Sequence, residues 1–105
     1  MCGVVGLLRI SASAPHLDLS ALADDMSHTL SHRGPDASGV WVDETQGVAF
    51  GHRRLSIIDL SSTGAQPMVS ASGRYVLTYN GELYNHSALR VKLEQAGCHL
   101  SHIHI

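Results

Sequence analysis

The succession of short apolar runs constrains the fold of this chain most. Val4 to Ile10 predicts one buried strand, which a Ser/Ala/Pro stretch ends. Two further short strands, Val40 to Val42 and Gly47 to His52, are predicted with a turn through Asp43 to Gln46 between them. The later stretch "RYVLTYNG" is rich in β-branched and aromatic residues and predicts another strand. Because these strands follow one another as hairpins do, we expect antiparallel sheet.

Two helices are expected to pack on that sheet. The apolar positions of the first recur at helical spacing, at Leu19, Leu22, Met26 and Leu30. Asp18 is a typical N-cap for it. A second helix carries Leu89, Leu93 and Ala96, with Asn85 or Ser87 as its N-cap and Gly97 at its end. The 105 residues allow at most one domain, so the pattern predicts an α+β fold with a modest core.

Composition and charge exclude several functional classes. Apolar residues make up 44% of the chain and charged residues 15%, which is typical of a globular protein. The net charge of −2 gives no basic surface, so we expect no nucleic-acid partner. The 2 cysteines are too few for a disulfide framework, which favours a reducing, cytoplasmic location. Ala12 to Ala14 resembles a signal-peptidase site, but Arg9 interrupts the apolar run before it, so neither export nor membrane association is expected.

A metal site is the first alternative that the sequence raises. The chain has 8 histidines, and His102 and His104 would share one face of a strand. Neither a cysteine nor a carboxylate accompanies them at the spacing of a zinc site. We therefore expect no metal to bind.

The opening "MCGVVG" raises the question of what Cys2 does. Removal of Met1 would give Cys2 both a thiol and a free α-amine, which is an arrangement for nucleophilic catalysis. Without such a role, Cys2 would be an oxidisable side chain on an exposed terminus. The sequence of the first residues alone leaves both interpretations open.

Two further polar stretches contain candidate binding residues. In "GHRRLSIIDLS", period-two alternation places Arg54, Ser56 and Ile58 on one strand face and Leu55, Ile57 and Asp59 on the other. An arginine in such a position is more often simply solvated. In "YNGELYNH", the Asn80-Gly81 pair is common in hairpin turns, but a helix follows it instead of a partner strand. An amide, an unhindered N–H and the Glu82 carboxylate can therefore converge at the end of a strand.

Taken together, five stretches resemble one family. The order and spacing of "MCG", "HRGPD", "GHRRLSIIDLS", "GAQPM" and "NGELYNH" are similar to those in the glutaminase domain of glutamine-hydrolysing asparagine synthetase, a class II glutamine amidotransferase. The resemblance extends over nearly everything from Met1 to Gly97. It implies the N-terminal-nucleophile hydrolase sandwich, two antiparallel sheets covered by helices, of which residues 1–105 would supply about the first half.

The resemblance also implies roles for individual residues. Cys2, freed by removal of Met1, would be the nucleophile, and its α-amine the base. The amide of Asn80 and the N–H of Gly81 would form the oxyanion hole. The remaining residues expected to bind L-glutamine are Arg54 through the α-carboxylate, Glu82 through the α-ammonium, and the backbone of Leu55, Ser56, Ile57 and Ile58. Arg53 would face away from the substrate. In "HRGPD", Gly34 and Pro35 would shape a loop, and Arg33 and Asp36 would pair structurally.

The resemblance further implies a partner domain. Asparagine synthesis requires a synthetase domain, normally in the same chain, that uses ATP and Mg²⁺; residues 1–105 contain no phosphate-binding glycine loop, and no cofactor is expected in them. We expect residues 1–105 alone to be inactive, because the serine-aspartate stretch that follows the second helix in the family is replaced by "CHLSHIHI". Two alternatives remain: an inactive remnant of an amidotransferase, and the glutaminase domain of a sibling enzyme with another ammonia acceptor.

Overall fold

The principal sheet of the chain has three strands. A computed structural model describes residues 1–11, 17–56 and 62–99. Strand β1 (Gly3–Leu8), strand β2 (Ala37–Asp43) and strand β3 (Val48–Arg54) lie in the order β1-β3-β2. The central strand β3 is antiparallel to both neighbours. The three strands predicted from residues 4 to 52 are therefore confirmed, with ends that differ from the predicted ones.

The turn between β2 and β3 forms where the sequence predicted it. The backbone N–H of Gln46 donates to the Asp43 carboxylate, with an N–O distance of 3.0 Å. Gly47 then adopts a positive φ of 69°, a conformation that favours glycine. Asp43 and Gly47 thus direct the chain back along the strand it has just left, and the register of the hairpin pairs Asp43 with Val48.

Helix α1 (Leu19–His28) covers one face of this sheet. It begins at the predicted N-cap, since an Asp18 carboxylate oxygen accepts the backbone N–H of Ala21 at 3.0 Å. The core between helix and sheet consists of buried Leu19, Ala23 and Ala49, with Leu7, Val40 and Val42 packed against them. Gly51 allows the close approach, because a Cβ built there would lie 3.0 Å from the Ala23 carbonyl oxygen.

The opposite face of the sheet turns toward a small second sheet. Side chains alternate along β3, so Phe50 and His52 face away from α1. Phe50 stacks on Trp41 of β2 with 5.7 Å between ring centroids. Strands β4 (Met68–Val69) and β5 (Val76–Leu77) form an antiparallel pair, and a cleft of about 270 Å³ separates the two rings from Arg74 and Val76.

The second sheet is where the sequence prediction was least accurate. The stretch "RYVLTYNG" supplies only the two residues of β5, and its partner β4 was not predicted at all. Beyond β5 the backbone bonds to a side chain instead of a strand, because the N–H of Tyr79 donates to Gln66 Oε1 at 2.6 Å. As predicted, Asn80 and Gly81 do not close a hairpin.

Helix α2 (His86–Gln95) is the last described element. A short 3-10 turn (Ser62–Gly64) precedes β4. Its N-cap is Asn85, one of the two predicted residues, and the chain leaves the helix at Gly97 with a φ of 84°. None of the α2 residues is buried, and within the described residues α2 contacts no other helix or strand.

The fold class is α+β, with antiparallel sheets and helices. No helix in residues 1–11, 17–56 and 62–99 has the length and apolarity needed to cross a membrane.

Candidate active site

The thiol of Cys2 lies against the backbone that follows strand β3. Gly3 pairs with Arg53 in the β1–β3 register, so Cys2 comes beside Arg54, the last residue of β3. Leu55 N–H donates to Cys2 Sγ at 3.4 Å, and Cys2 Sγ is 3.9 Å from the Leu55 carbonyl oxygen. Cys2 is partly buried there. The strand pairing therefore brings together two of the motifs that the sequence analysis singled out.

The two arginines at the end of β3 lie on opposite faces, as the alternation predicted. Arg53 is directed toward the loop after α1, where its Nε donates to the Gly34 carbonyl at 2.9 Å. Arg54 lies on the same face as His52 and approaches Gly64, since a Cβ built on Gly64 would be 2.5 Å from Arg54 Nη2. A side chain at position 64 would therefore require the Arg54 guanidinium to shift. Arg54 is thus the arginine on the Cys2 side of the sheet.

The alternation does not continue beyond Arg54, because β3 ends there. The next residues are held by the "HRGPD" loop. The Asp36 carboxylate accepts the N–H of Ser56 at 2.7 Å, and the N–H of Asp36 donates to the Arg54 carbonyl at 3.0 Å. These two bonds bracket the segment from Arg54 to Ser56 and fix its backbone next to the Cys2 thiol. Ile57, Ile58 and Asp59 lie outside the described residues.

The expected pairing of Arg33 with Asp36 was wrong. Among the described residues no ion pair joins them, and the carboxylate of Asp36 binds the backbone of Ser56 instead. A backbone N–H beyond the end of a strand has no ladder partner, so a carboxylate within reach satisfies it. The loop is therefore architectural, as predicted, but through a contact to the candidate substrate-binding segment.

The predicted oxyanion residues lie at an exposed position. Asn80, Gly81 and Glu82 are all exposed. Tyr79 contacts this segment, because its hydroxyl donates to the Glu82 carbonyl at 3.3 Å and its ring lies close to Gly81. In the described part of the chain no hydrogen bond joins Cys2 to any of the three predicted residues. The structure thus assembles Cys2, Arg54 and Leu55, and leaves Asn80 to Glu82 on a separate segment.

His52, which was not among the residues predicted for the site, is buried on the same face as Arg54. His52 Nδ1 is 3.0 Å from the Thr78 hydroxyl, and within the described part of the chain its Nε2 has no hydrogen-bond partner. Burial lowers the pKa of His52, and the positive charge of Arg54 lowers the pKa further. A cavity of about 20 Å³ adjoins His52. It is lined by Ala37, Ser38, His52, Arg54, Ala65 and Gln66. The sequence signal that could have identified His52 was its position two residues before Arg54, which places both residues on one face of the strand.

No group of three or more metal-ligating side chains occurs in the part of the chain that the structure describes. His102 and His104, which the sequence raised as metal ligands, lie outside that part. Both cysteines are free, and Cys98 is exposed after α2.

Comparisons with known proteins agree on one family. The family model for a glutamine amidotransferase domain matches residues 1–102. The chain is 42% identical over 97 residues to asparagine synthetase [glutamine-hydrolyzing] 1 of Bacillus subtilis, covering 92% of this chain and 15% of that protein. It is 41% identical over 92 residues to asparagine synthetase B of Escherichia coli, covering 88% of this chain and 16% of that protein. A probable asparagine synthetase [glutamine-hydrolyzing] of Dictyostelium discoideum is 38% identical over 104 residues, covering 99% of this chain and 18% of that protein.

No solved structure matches the chain. The chain spans less than one fifth of the length of these relatives, and it corresponds to their N-terminal regions. With nearly its whole length matched, the chain belongs to the family of glutamine amidotransferase domains.

Proposed function

We propose that the chain is the glutaminase part of a glutamine-hydrolysing asparagine synthetase. In this role it hydrolyses L-glutamine to glutamate and ammonia, and the ammonia amidates aspartate in a synthetase domain of the same protein. That domain would use ATP and Mg²⁺. The names of the relatives support this proposal over a sibling enzyme with another acceptor, since all three are asparagine synthetases. The single observation that carries it is the Cys2 thiol seated on the backbone of Leu55, beside Arg54.

The proposed nucleophile is the Cys2 thiolate. Removal of Met1 frees the α-amine of Cys2 to take the thiol proton. An α-amine, with an ordinary pKa of about 8, suits a base near neutrality better than a lysine amine, with an ordinary pKa of about 10. The thiolate attacks the side-chain amide carbon of glutamine, and a new S–C bond forms as the carbonyl becomes an oxyanion. The base returns its proton to the leaving nitrogen, ammonia departs, and water hydrolyses the γ-glutamyl thioester to glutamate and the thiol.

The oxyanion is assigned to Asn80 and Gly81. A side-chain amide and an unhindered backbone N–H are donors of the kind that stabilise developing negative charge. Both residues are exposed on the segment after β5, where a substrate can reach them. In the proposed complex these two donors face the Cys2 thiol across the bound glutamine.

Substrate binding is assigned to the other end of the glutamine molecule. The Arg54 guanidinium matches a planar carboxylate, so Arg54 binds the α-carboxylate, and Glu82 binds the α-ammonium. The backbone from Leu55 to Ile58 lines the site. The contacts of Asp36 to Ser56 and Arg54 support this assignment, because they fix the first half of that segment.

The proposed fold is the N-terminal-nucleophile hydrolase sandwich. Its support is the order of layers in the chain: helix α1, then the principal sheet, then the β4–β5 sheet on the face that carries His52 and Arg54. The two free cysteines support a cytoplasmic location.

The proposal is tested by replacing each cysteine in the full-length protein, as its gene encodes it. Cys2→Ala should abolish glutamate release from glutamine, because it removes the attacking sulfur, while the circular dichroism spectrum stays unchanged. Cys98→Ala is the matched control, since Cys98 is the exposed thiol outside the proposed site, and this variant should keep the activity. Glutamate release by Cys2→Ala would refute the proposal.

A further inference from the structure

His52 connects the two halves of the proposed site. It lies on β3, two residues before Arg54, and it is only 1% exposed. Its Nδ1 is 3.0 Å from the hydroxyl of Thr78, which is 26 positions away in the chain. Thr78 in turn stands two residues before Asn80, the proposed oxyanion donor. One side chain–side chain bond therefore links the strand with the carboxylate-binding arginine to the segment with the oxyanion hole.

Among residues 1–11, 17–56 and 62–99, few other contacts hold the segment around Thr78 in place. Strand β5 ends at Leu77 after pairing with β4 over only two residues, and a cleft of about 270 Å³ lies between its Val76 and the rings of Trp41 and Phe50. Tyr79 is held by its N–H bond to Gln66 Oε1, but the three residues that follow are exposed. The position of Asn80 relative to Cys2 thus depends strongly on the bonds of the two residues before it.

The chemistry of the pair suits this task. A neutral imidazole has one donor and one acceptor nitrogen, and a hydroxyl both donates and accepts, so either imidazole tautomer can bond to Thr78. Burial and the nearby Arg54 charge both favour the neutral ring by lowering the pKa of His52. A buried bond of this kind fixes the ring at a defined angle between strand and segment.

We propose that His52 is a positioning residue for glutamine hydrolysis, which sets the place of the oxyanion donors Asn80 and Gly81 by holding Thr78. This inference rests on the proposed function. It predicts that breaking the bond weakens binding of the tetrahedral species and leaves binding of ground-state glutamine nearly unchanged. The reason is that an oxyanion hole binds the transition state much better than the substrate.

The test compares variants of Thr78 in the full-length protein, as its gene encodes it. Thr78→Val keeps the shape of the side chain and removes the hydroxyl, whereas Thr78→Ser keeps the hydroxyl. The probe is the γ-aldehyde analogue of glutamate, which forms a hemithioacetal with a catalytic thiol and places its oxygen in the oxyanion hole. Its inhibition constant and the glutamine KM are both independent of the fraction of folded enzyme.

We expect Thr78→Val to raise the inhibition constant of the aldehyde about tenfold, since displacements of about 1 Å commonly cost up to a hundredfold in rate. The glutamine KM should change by less than about twofold. Thr78→Ser should bind the aldehyde as the natural protein does. Thr45→Val, the same replacement at an exposed turn position, is the control and should change neither constant.

A second comparison uses His52 itself. His52→Gln removes the Nδ1 atom, so it should weaken aldehyde binding as Thr78→Val does. The inhibition constant of the aldehyde for the double variant should exceed that of either single variant by no more than about twofold, because both substitutions remove the same bond. Unchanged aldehyde binding in Thr78→Val would overturn the inference, as would multiplicative effects in the double variant. If His52→Gln does not fold, the Thr78 pair decides. Glutaminase activity in Cys2→Ala would instead refute the proposed function, so the two failures are distinguishable.

Discussion

At the scale of residues, the proposed site is arranged by backbone contacts. The Cys2 thiol lies on the Leu55 backbone, and the Asp36 carboxylate holds the Ser56 N–H. Gly64 leaves space for the Arg54 guanidinium, which a larger residue would fill. The positions of the reactive side chains thus depend on where strand β3 ends and on how the loop after α1 holds the residues that follow β3.

The first residue-scale prediction separates Arg54 from Arg53. Arg54→Ala removes the proposed carboxylate-binding group, and hydrogen bonds to charged groups contribute about 1.5–3 kcal/mol, so the glutamine KM should rise about 10- to 100-fold. Arg53→Ala loses its bond to the Gly34 carbonyl on the other face and should change the KM by less than about threefold. Steady-state glutaminase assays measure both. Equal effects would contradict the assignment of the two faces.

At the scale of elements, each helix and strand does one identifiable task. Strand β3 pairs with both β1 and β2, and it brings Arg54 beside Cys2. Helix α1 covers the face away from the proposed site and supplies most of the core. The loop after α1 returns to the end of β3 through Gly34 and Asp36. A defect in α1 should therefore reduce stability before it changes chemistry.

The element-scale prediction concerns the start of α1. Asp18→Ala removes the acceptor of the Ala21 N–H, and loss of such a cap lowers the free energy of unfolding by about 1 kcal/mol. Asp25→Ala is the matched control, because Asp25 is exposed on the same helix, and it should change this free energy by less than about 0.5 kcal/mol. Urea denaturation of the full-length protein gives both values. Identical unfolding free energies of the two variants would mean that the cap does not stabilise α1.

The elements in which a periodic hydrophobic pattern extends over many residues were predictable from sequence. The spacing of Leu19, Leu22 and Met26 and the cap at Asp18 specify α1, and the alternating runs specify β1 to β3. Strand β4 was missed, and the strand predicted at "RYVLTYNG" was too long, because the two residues of β4 and of β5 are too few to show a periodic pattern. Asp36 and His52 acquire their partners over 20 and 26 positions, and no local pattern encodes such contacts. The residue pattern drew attention to Cys2 and Arg54, but their expected roles came from the family resemblance.

At the scale of the whole molecule, the described residues leave much apolar surface exposed. The described part measures 48 × 31 × 20 Å along its principal axes. Large apolar side chains are exposed on the β4–β5 hairpin, the segment after it and α2, including Leu77, Leu83, Tyr84 and Val91. Surfaces of this kind generally contact other parts of a protein or a partner. The chain also corresponds to only 15–18% of the length of its relatives. That residues 1–105 are inactive alone stays a prediction.

The most direct test of the central claim is to trap the covalent intermediate. The full-length protein is mixed with glutamine, quenched in acid, which preserves thioesters, and digested for peptide mass mapping. The assignment of Cys2 as the nucleophile predicts an N-terminal peptide that lacks Met1 and carries a γ-glutamyl group on Cys2, with Cys98 unmodified. Turnover of glutamine with Met1 retained, or with the γ-glutamyl group on Cys98, would contradict it.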